Sequence, residues 1–158
     1  MSNGKLISIH IGAQAGETMQ SLNEVQAVAG RGLDGDRYFL EVGTYSKKVC
    51  PDRQVTLMEC EVIETLKRDY DIDLSNQQSR RNLMTRGVAL THLVGRTFQV
   101  GTVKFRGVRI NEPCQYFENM LGKPGIETAL LHRSGLNAEV LTDGVIRVGD
   151  DICDVREE

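Results

Sequence analysis

The sequence predicts a β-rich barrel, and three observations predict it. Strand-like segments are many and short, glycine occurs 16 times, and only one or two stretches carry a helical period. The strand–helix alternation that builds a doubly wound parallel sheet is missing. No repeat, low-complexity tract or linker divides the 158 residues, which fits a single domain over 1–158.

The first element is "KLISIHI". Ile7, Ile9 and Ile11 alternate with Ser8 and His10, so the spacing predicts a strand with a solvated His10 on its polar face. In "VAGRGLDGDRYF" the glycines at 30, 32 and 35 match neither phosphate-loop pattern, and no convincing helix follows; a tight turn with glycine at positive φ explains them better. "RQVTLM" repeats the strand period through Val55 and Leu57, with Arg53 on their side. In "ECEVIETLKRDY" the period then changes. Cys60, Ile63, Leu66 and Tyr70 form a helical stripe with Val62 beside it, and Glu64 is spaced to reach Arg68.

Strand signals return in "TFQVGTVKFRGVRIN". Val103 and Phe105 precede Gly107, whereas Val108 and Ile110 follow it, so the apolar phase slips by one at the glycine and predicts a β-bulge. "QYFENMLG" predicts a short helix closed by Gly122. "NAEVLTDGVIRVGDDICDV" predicts two or three short strands with turns at Asp143-Gly144 and Gly149-Asp150.

Composition excludes several function classes. Net charge is −3, aromatic content is 5% and there is no Trp, which argues against nucleic-acid and anionic-membrane binding. No run approaches the ~18 apolar residues of a spanning helix, and the amino terminus lacks the pattern of a secretory signal, so the expected compartment is the cytoplasm. Arg outnumbers Lys by 13 to 6, a bias toward forked donors for phosphate or carboxylate.

Cys50, Cys60, Cys114 and Cys153 lie 10, 54 and 39 residues apart, a spacing that suits neither a disulfide framework nor structural zinc. Cys60 falls on the apolar helix stripe, Cys153 in a terminal strand and Cys50 in a loop before a proline. Cys114 differs, because it follows Pro113 at the end of the strongest strand region and precedes a helix. A thiol in that setting is either a small packed hydrophobe or a thiolate, nucleophile and soft ligand. In "QQSRRNLMTRG" one of Arg80 and Arg81 must point inward if the segment is extended, and it then needs a buried carboxylate or a bound anion. His92 reads as the edge of a packed turn, and His10, His92 and His132 lack any metal-site spacing.

Taken in order, "GLDGDRY", "RQVTLME", "RRNLMTRGVALTHLVGRTFQVGTVKFRG", "EPC" and "RSGLNAEVLTDGVIRVGDDI" resemble the MOSC domain family over residues 5 to 155. The resemblance implies a closed, Greek-key-like β-barrel of the MOSC or PK-barrel kind with a few peripheral helices. It also identifies Cys114 with the family's "PC" thiol, either a persulfide carrier or a ligand to molybdenum. Arg80 and Arg81 match an "R-x-N" segment and would hold an anion such as the pterin phosphate of the molybdenum cofactor. Asn82 would fix the loop or donate to the ligand, and Asp36 and Arg37 would line the same opening.

Three functions stay open at this point: a cofactor- or sulfur-handling domain, a reductase of N-hydroxylated compounds that needs an external electron donor, and a non-enzymatic module for a phosphorylated ligand. The implied partners are a cysteine desulfurase or an electron-transfer protein. Pyridoxal phosphate is not expected, since no lysine has surroundings that argue for a Schiff base. Substrate and oligomeric state are left open.

Overall fold

The strands, helices and their contacts are seen in a computed structural model that describes residues 4–12, 18–37, 39, 54–113 and 115–155, without the side chains of 115 and 116. Along this chain run β1 (Gly4–Ile11), β2 (Gln20–Leu22), β3 (Glu24–Val28), β4 (Gly32–Leu33), β5 (Val55–Glu59), α1 (Cys60–Tyr70) and β6 (Leu83–Arg86). They continue with β7 (Thr97–Val100), β8 (Val103–Ile110), α2 (Gln115–Leu121), α3 (Ile126–Ala129), β9 (Leu136–Val140), β10 (Gly144–Arg147) and β11 (Asp151–Asp154). Around the barrel the order is β11-β7-β8-β9-β5-β6-β1, and pairing of β1 with β11 closes it. β2 adds to the far end of β1, and β10-β3-β4 form a small second sheet.

The barrel is mixed. β5 and β6 run parallel, with Leu57 opposite Leu83, and α1 leads out of β5 on the chain between them. That helix gives both strands a second buried face. Leu57 and Leu83 point into the barrel core, whereas Met58 and Met84 join Val62, Leu66, Phe117, Ile126 and Leu130 in an outer cluster beneath the helices. Across β7 and β8 the paired Phe98 and Phe105 stack with centroids 5.5 Å apart. Among the described residues no helix is long and apolar enough to cross a membrane.

The predicted bulge at Gly107 is present, as the β8–β9 register shifts between Gly107 and Arg109. A glycine is required there: a Cβ would stand 2.1 Å from the carbonyl oxygen of Leu93. The glycines at 30, 32 and 35 all have positive φ, as the sequence predicts; Gly30 and Gly35 lie in turns and Gly32 opens β4.

β1 departs from the simple alternation. Its pairing with β6 shifts between Leu6 and Ser8, and the extra residue changes the face of everything after it. Leu6 and Ile9 are fully buried, Ile7 is exposed, and His10 is buried rather than solvated. In α1 the stripe holds for Cys60, Val62 and Leu66, but Tyr70 is half exposed beneath the Arg133 guanidinium, 5.9 Å away. Glu64 pairs with Arg86 of β6 instead of Arg68, which pairs with its neighbour Asp69. His92 is exposed on its 3-10 turn, not packed at an edge.

Candidate functional site

Asn82, at the entrance to β6, holds four chain segments together. Its Oδ1 accepts from the Thr56 backbone N–H (3.0 Å) and hydroxyl (3.1 Å). Its Nδ2 donates to the His10 carbonyl (3.0 Å) and to Asp36 Oδ1 (3.2 Å). The amide therefore has both donors and its acceptor engaged within the protein. Of the two uses the sequence leaves open for Asn82, this geometry is the loop-fixing one. Asp36 is buried and also accepts from the Gly12 N–H at 3.0 Å, so it ties the end of β1 to the turn that follows β4.

Arg81 is the inward member of its pair and is buried. Its Nε donates to the Ser134 carbonyl (2.9 Å), Nη1 to the Ser79 carbonyl (3.3 Å), and Nη2 to Ser134 Oγ (2.6 Å) and Asn111 Oδ1 (3.0 Å). These four acceptors are neutral carbonyl, hydroxyl and amide oxygens. The guanidinium also lies 5.6 Å from the Phe117 ring centroid. Asn111 passes the network on, its Nδ2 donating to Asn137 Oδ1 at 2.7 Å. Asn137 stands opposite Thr56 in the β9–β5 pair, so the Asn82 and Arg81 groups lie on neighbouring strands beside the apolar core.

The structure thus joins Asp36 to Asn82 directly and sets Arg81 beside them. Arg80 is half-buried and occupies the left-handed region at φ 60°. Arg37 is half-buried, and its N–H donates to the Gly12 carbonyl at 2.7 Å. Cys114, Cys50 and Arg53 lie outside the described residues. Helix α2 starts at the residue after Cys114. Of the other thiols, Cys60 is buried, and burial pushes its pKa up despite nearby Arg86; Cys153 is half-buried in β11.

Sequence reasoning assigned no role to Thr56, Asn111, Ser134, Asn137 or His10. Ser134 and Asn137 do fall in "RSGLN", within a segment that carries the family resemblance, but a polar residue in a strand pattern carries no label of its partner. His10 is enclosed between Ser8 Oγ (2.9 Å from Nε2) and Ser21 Oγ (3.2 Å from Nδ1), and burial lowers its pKa below the ordinary value. Among the described residues no cluster of three or more His, Cys, Asp or Glu side chains could hold a metal ion.

A family model described as the MOSC domain matches residues 35–153. The chain belongs to the MOSC domain family. That family is associated with the molybdenum cofactor. Solved structures of similar fold include the YuaD protein from Bacillus subtilis, with TM-score 0.79, 16% identity and coverage of 96% of this chain and 94% of that one. YiiM from Geobacillus stearothermophilus matches with TM-score 0.74 and 16% identity over 97% and 75% of the two chains. YiiM from Escherichia coli gives 0.71 and 15% over 99% and 72%. No curated protein matches the sequence. At these identities the structures establish a MOSC-type barrel, and function has to be argued from the site.

Proposed function

We propose that this MOSC domain handles the molybdenum cofactor or its sulfur, binding an anionic ligand of the pterin-phosphate type and working through the Cys114 thiol. The observation that carries this reading is the polar framework of buried Asp36, Asn82, Thr56 and Arg81 with half-buried Asn111. One of its members, Asn111, lies three residues before Cys114. Buried polar groups cost stability unless satisfied, and here they are satisfied by one another at the end of the β8 strand that leads to the thiol. Family membership supports the choice of thiol, and the polar framework three residues before it in the chain supports the choice of site.

The residue types fit such a ligand. A thiolate suits molybdenum as a soft donor, and guanidinium groups suit a phosphate. Arg37, next to Asp36 in the chain, and Arg80, two residues before Asn82, are both half-buried and are assigned to the anionic end. When bound, the molybdenum centre supplies redox chemistry. As a sulfur carrier instead, the Cys114 thiolate attacks the outer sulfur of a donor persulfide; the new S–S bond forms as the donor thiolate leaves. A cysteine desulfurase is the partner class for that use, an electron-transfer protein for the redox use, and a reducing cytoplasm keeps the thiol available.

Molybdenum and phosphorus analysis with intact mass tests the proposal, on protein purified without reductant from a cofactor-competent host. Near-stoichiometric molybdenum lost in Cys114→Ser assigns the thiol as metal ligand. A metal-free chain with ~32 Da added on Cys114 assigns it as sulfur carrier. A metal-free, phosphorus-free, unmodified chain refutes the proposal.

A further inference from the structure

We propose that Arg81 is a positioning residue: its guanidinium fastens the stretch from Asn111 to Phe117 onto the barrel. This inference deepens the proposed function and rests on it for the importance of Cys114, which lies within that stretch. The contacts fall on both sides of the thiol. Nη2 donates to Asn111 Oδ1 at 3.0 Å, three residues before Cys114, and the guanidinium lies 5.6 Å from the ring of Phe117, three residues after it. Its remaining donors grip Ser134 and Ser79 at 2.6–3.3 Å, so one side chain joins β6, the β8–α2 connection and the turn before β9.

The geometry argues for positioning over ligand binding. At least four of the five guanidinium N–H donors are engaged with protein acceptors, whereas an anion clamp aims its donors at the ligand. Asn111 is itself locked, its backbone N–H donating to the Gly135 carbonyl at 2.8 Å and its Nδ2 to Asn137. Phe117 is buried in the outer cluster, which fixes the other end. Only a planar fork can bond along its edge and stack on its face together; a lysine ammonium offers one point of charge and no face. The adjacent arginines therefore divide the work, Arg81 holding the segment and Arg80 serving the ligand.

Hydrogen exchange read by mass spectrometry on full-length Arg81→Lys tests this. Exchange in the peptide spanning residues 111–118 is expected to rise about tenfold while β7 and β11 change less than about twofold, the pattern of local opening. The rate of iodoacetamide alkylation of Cys114 at fixed pH is expected to rise with it, and that of Cys153 to stay. If Arg81→Lys does not fold, Asn111→Ala and Phe117→Leu each remove one of the two contacts and leave the guanidinium on Ser134. Both are expected to loosen the same peptide. Uniformly faster exchange, or none confined to residues 111–118, overturns the inference. A wild-type thiol that never carries molybdenum or sulfur would sink the functional reading while leaving the exchange pattern to decide the positioning.

Discussion

Replacing Asn82 by alanine removes a side chain that connects β1, the Asp36 turn, β5 and β6. Four hydrogen bonds go with it: two to Thr56, one to His10 and one to Asp36. A neutral hydrogen bond contributes about 1 kcal/mol net and one to a charged group about 2 kcal/mol. Three neutral bonds and one to the Asp36 carboxylate therefore predict a loss of about 5 kcal/mol, a large share of a typical domain's ~5–15 kcal/mol. Asn82→Asp keeps the oxygen that serves Thr56 and loses only the two N–H donors. However, it sets a second carboxyl against Asp36, whose Oδ1 is 3.2 Å from the present amide nitrogen. Like charges at that distance favour protonation of one of them, raising a carboxyl pKa in the folded state. The folded variant then binds more protons than the unfolded chain, so its deficit must grow as pH rises above the ordinary carboxyl range, by at most ~1.4 kcal/mol per pH unit. Urea unfolding of wild type and both variants at pH 5 and 7.5 measures this. An Asn82→Ala loss below about 1 kcal/mol, or an Asn82→Asp deficit that does not change with pH, would refute the account of Asn82 as a buried junction.

Two further outcomes are expected. His10 titrates below its usual value because it is buried, so the unfolded chain takes up the proton first on acidification and stability falls as pH drops below about 6.5. His10→Gln should remove part of that loss, seen as a smaller difference between unfolding midpoints at pH 7.5 and 5.5. Gly107→Ala should cost about 3 kcal/mol, since its Cβ would meet backbone atoms of Leu93 at 2.1 and 2.7 Å that cannot rotate away; the urea midpoint reads it directly.

Those residues also mark what could be read from the chain before its fold was known. The Gly107 bulge was legible because the apolar phase before and after it differs, so the slip is written in the sequence itself. The bulge in β1 was not legible. "LISIHI" has an unbroken apolar period at Ile7, Ile9 and Ile11, and only pairing with β6 inserts the extra residue that turns Ile7 out and His10 in. Local pattern records a strand's potential faces; the partner strand chooses between them.

The site follows the same division. Cys60, Leu66 and Val62 could be placed because a helix relates residues three or four apart, whereas Asn82 meets partners 26, 46 and 72 positions away. The barrel makes those meetings by setting β1 and β5 on either side of β6, so the polar framework is a consequence of strand order. The inward arginine shows why residue type alone could not supply its partner. Carbonyls and a hydroxyl of Ser134 and Ser79, with the amide of Asn111, engage Arg81 through several dipoles, and no sequence pattern distinguishes such acceptors from ordinary loop residues. In the proposed function that solution would have a consequence: a framework stabilised by its own members holds the segment leading to Cys114 without a ligand, which would leave a ligand's binding energy for recognition rather than for ordering the site.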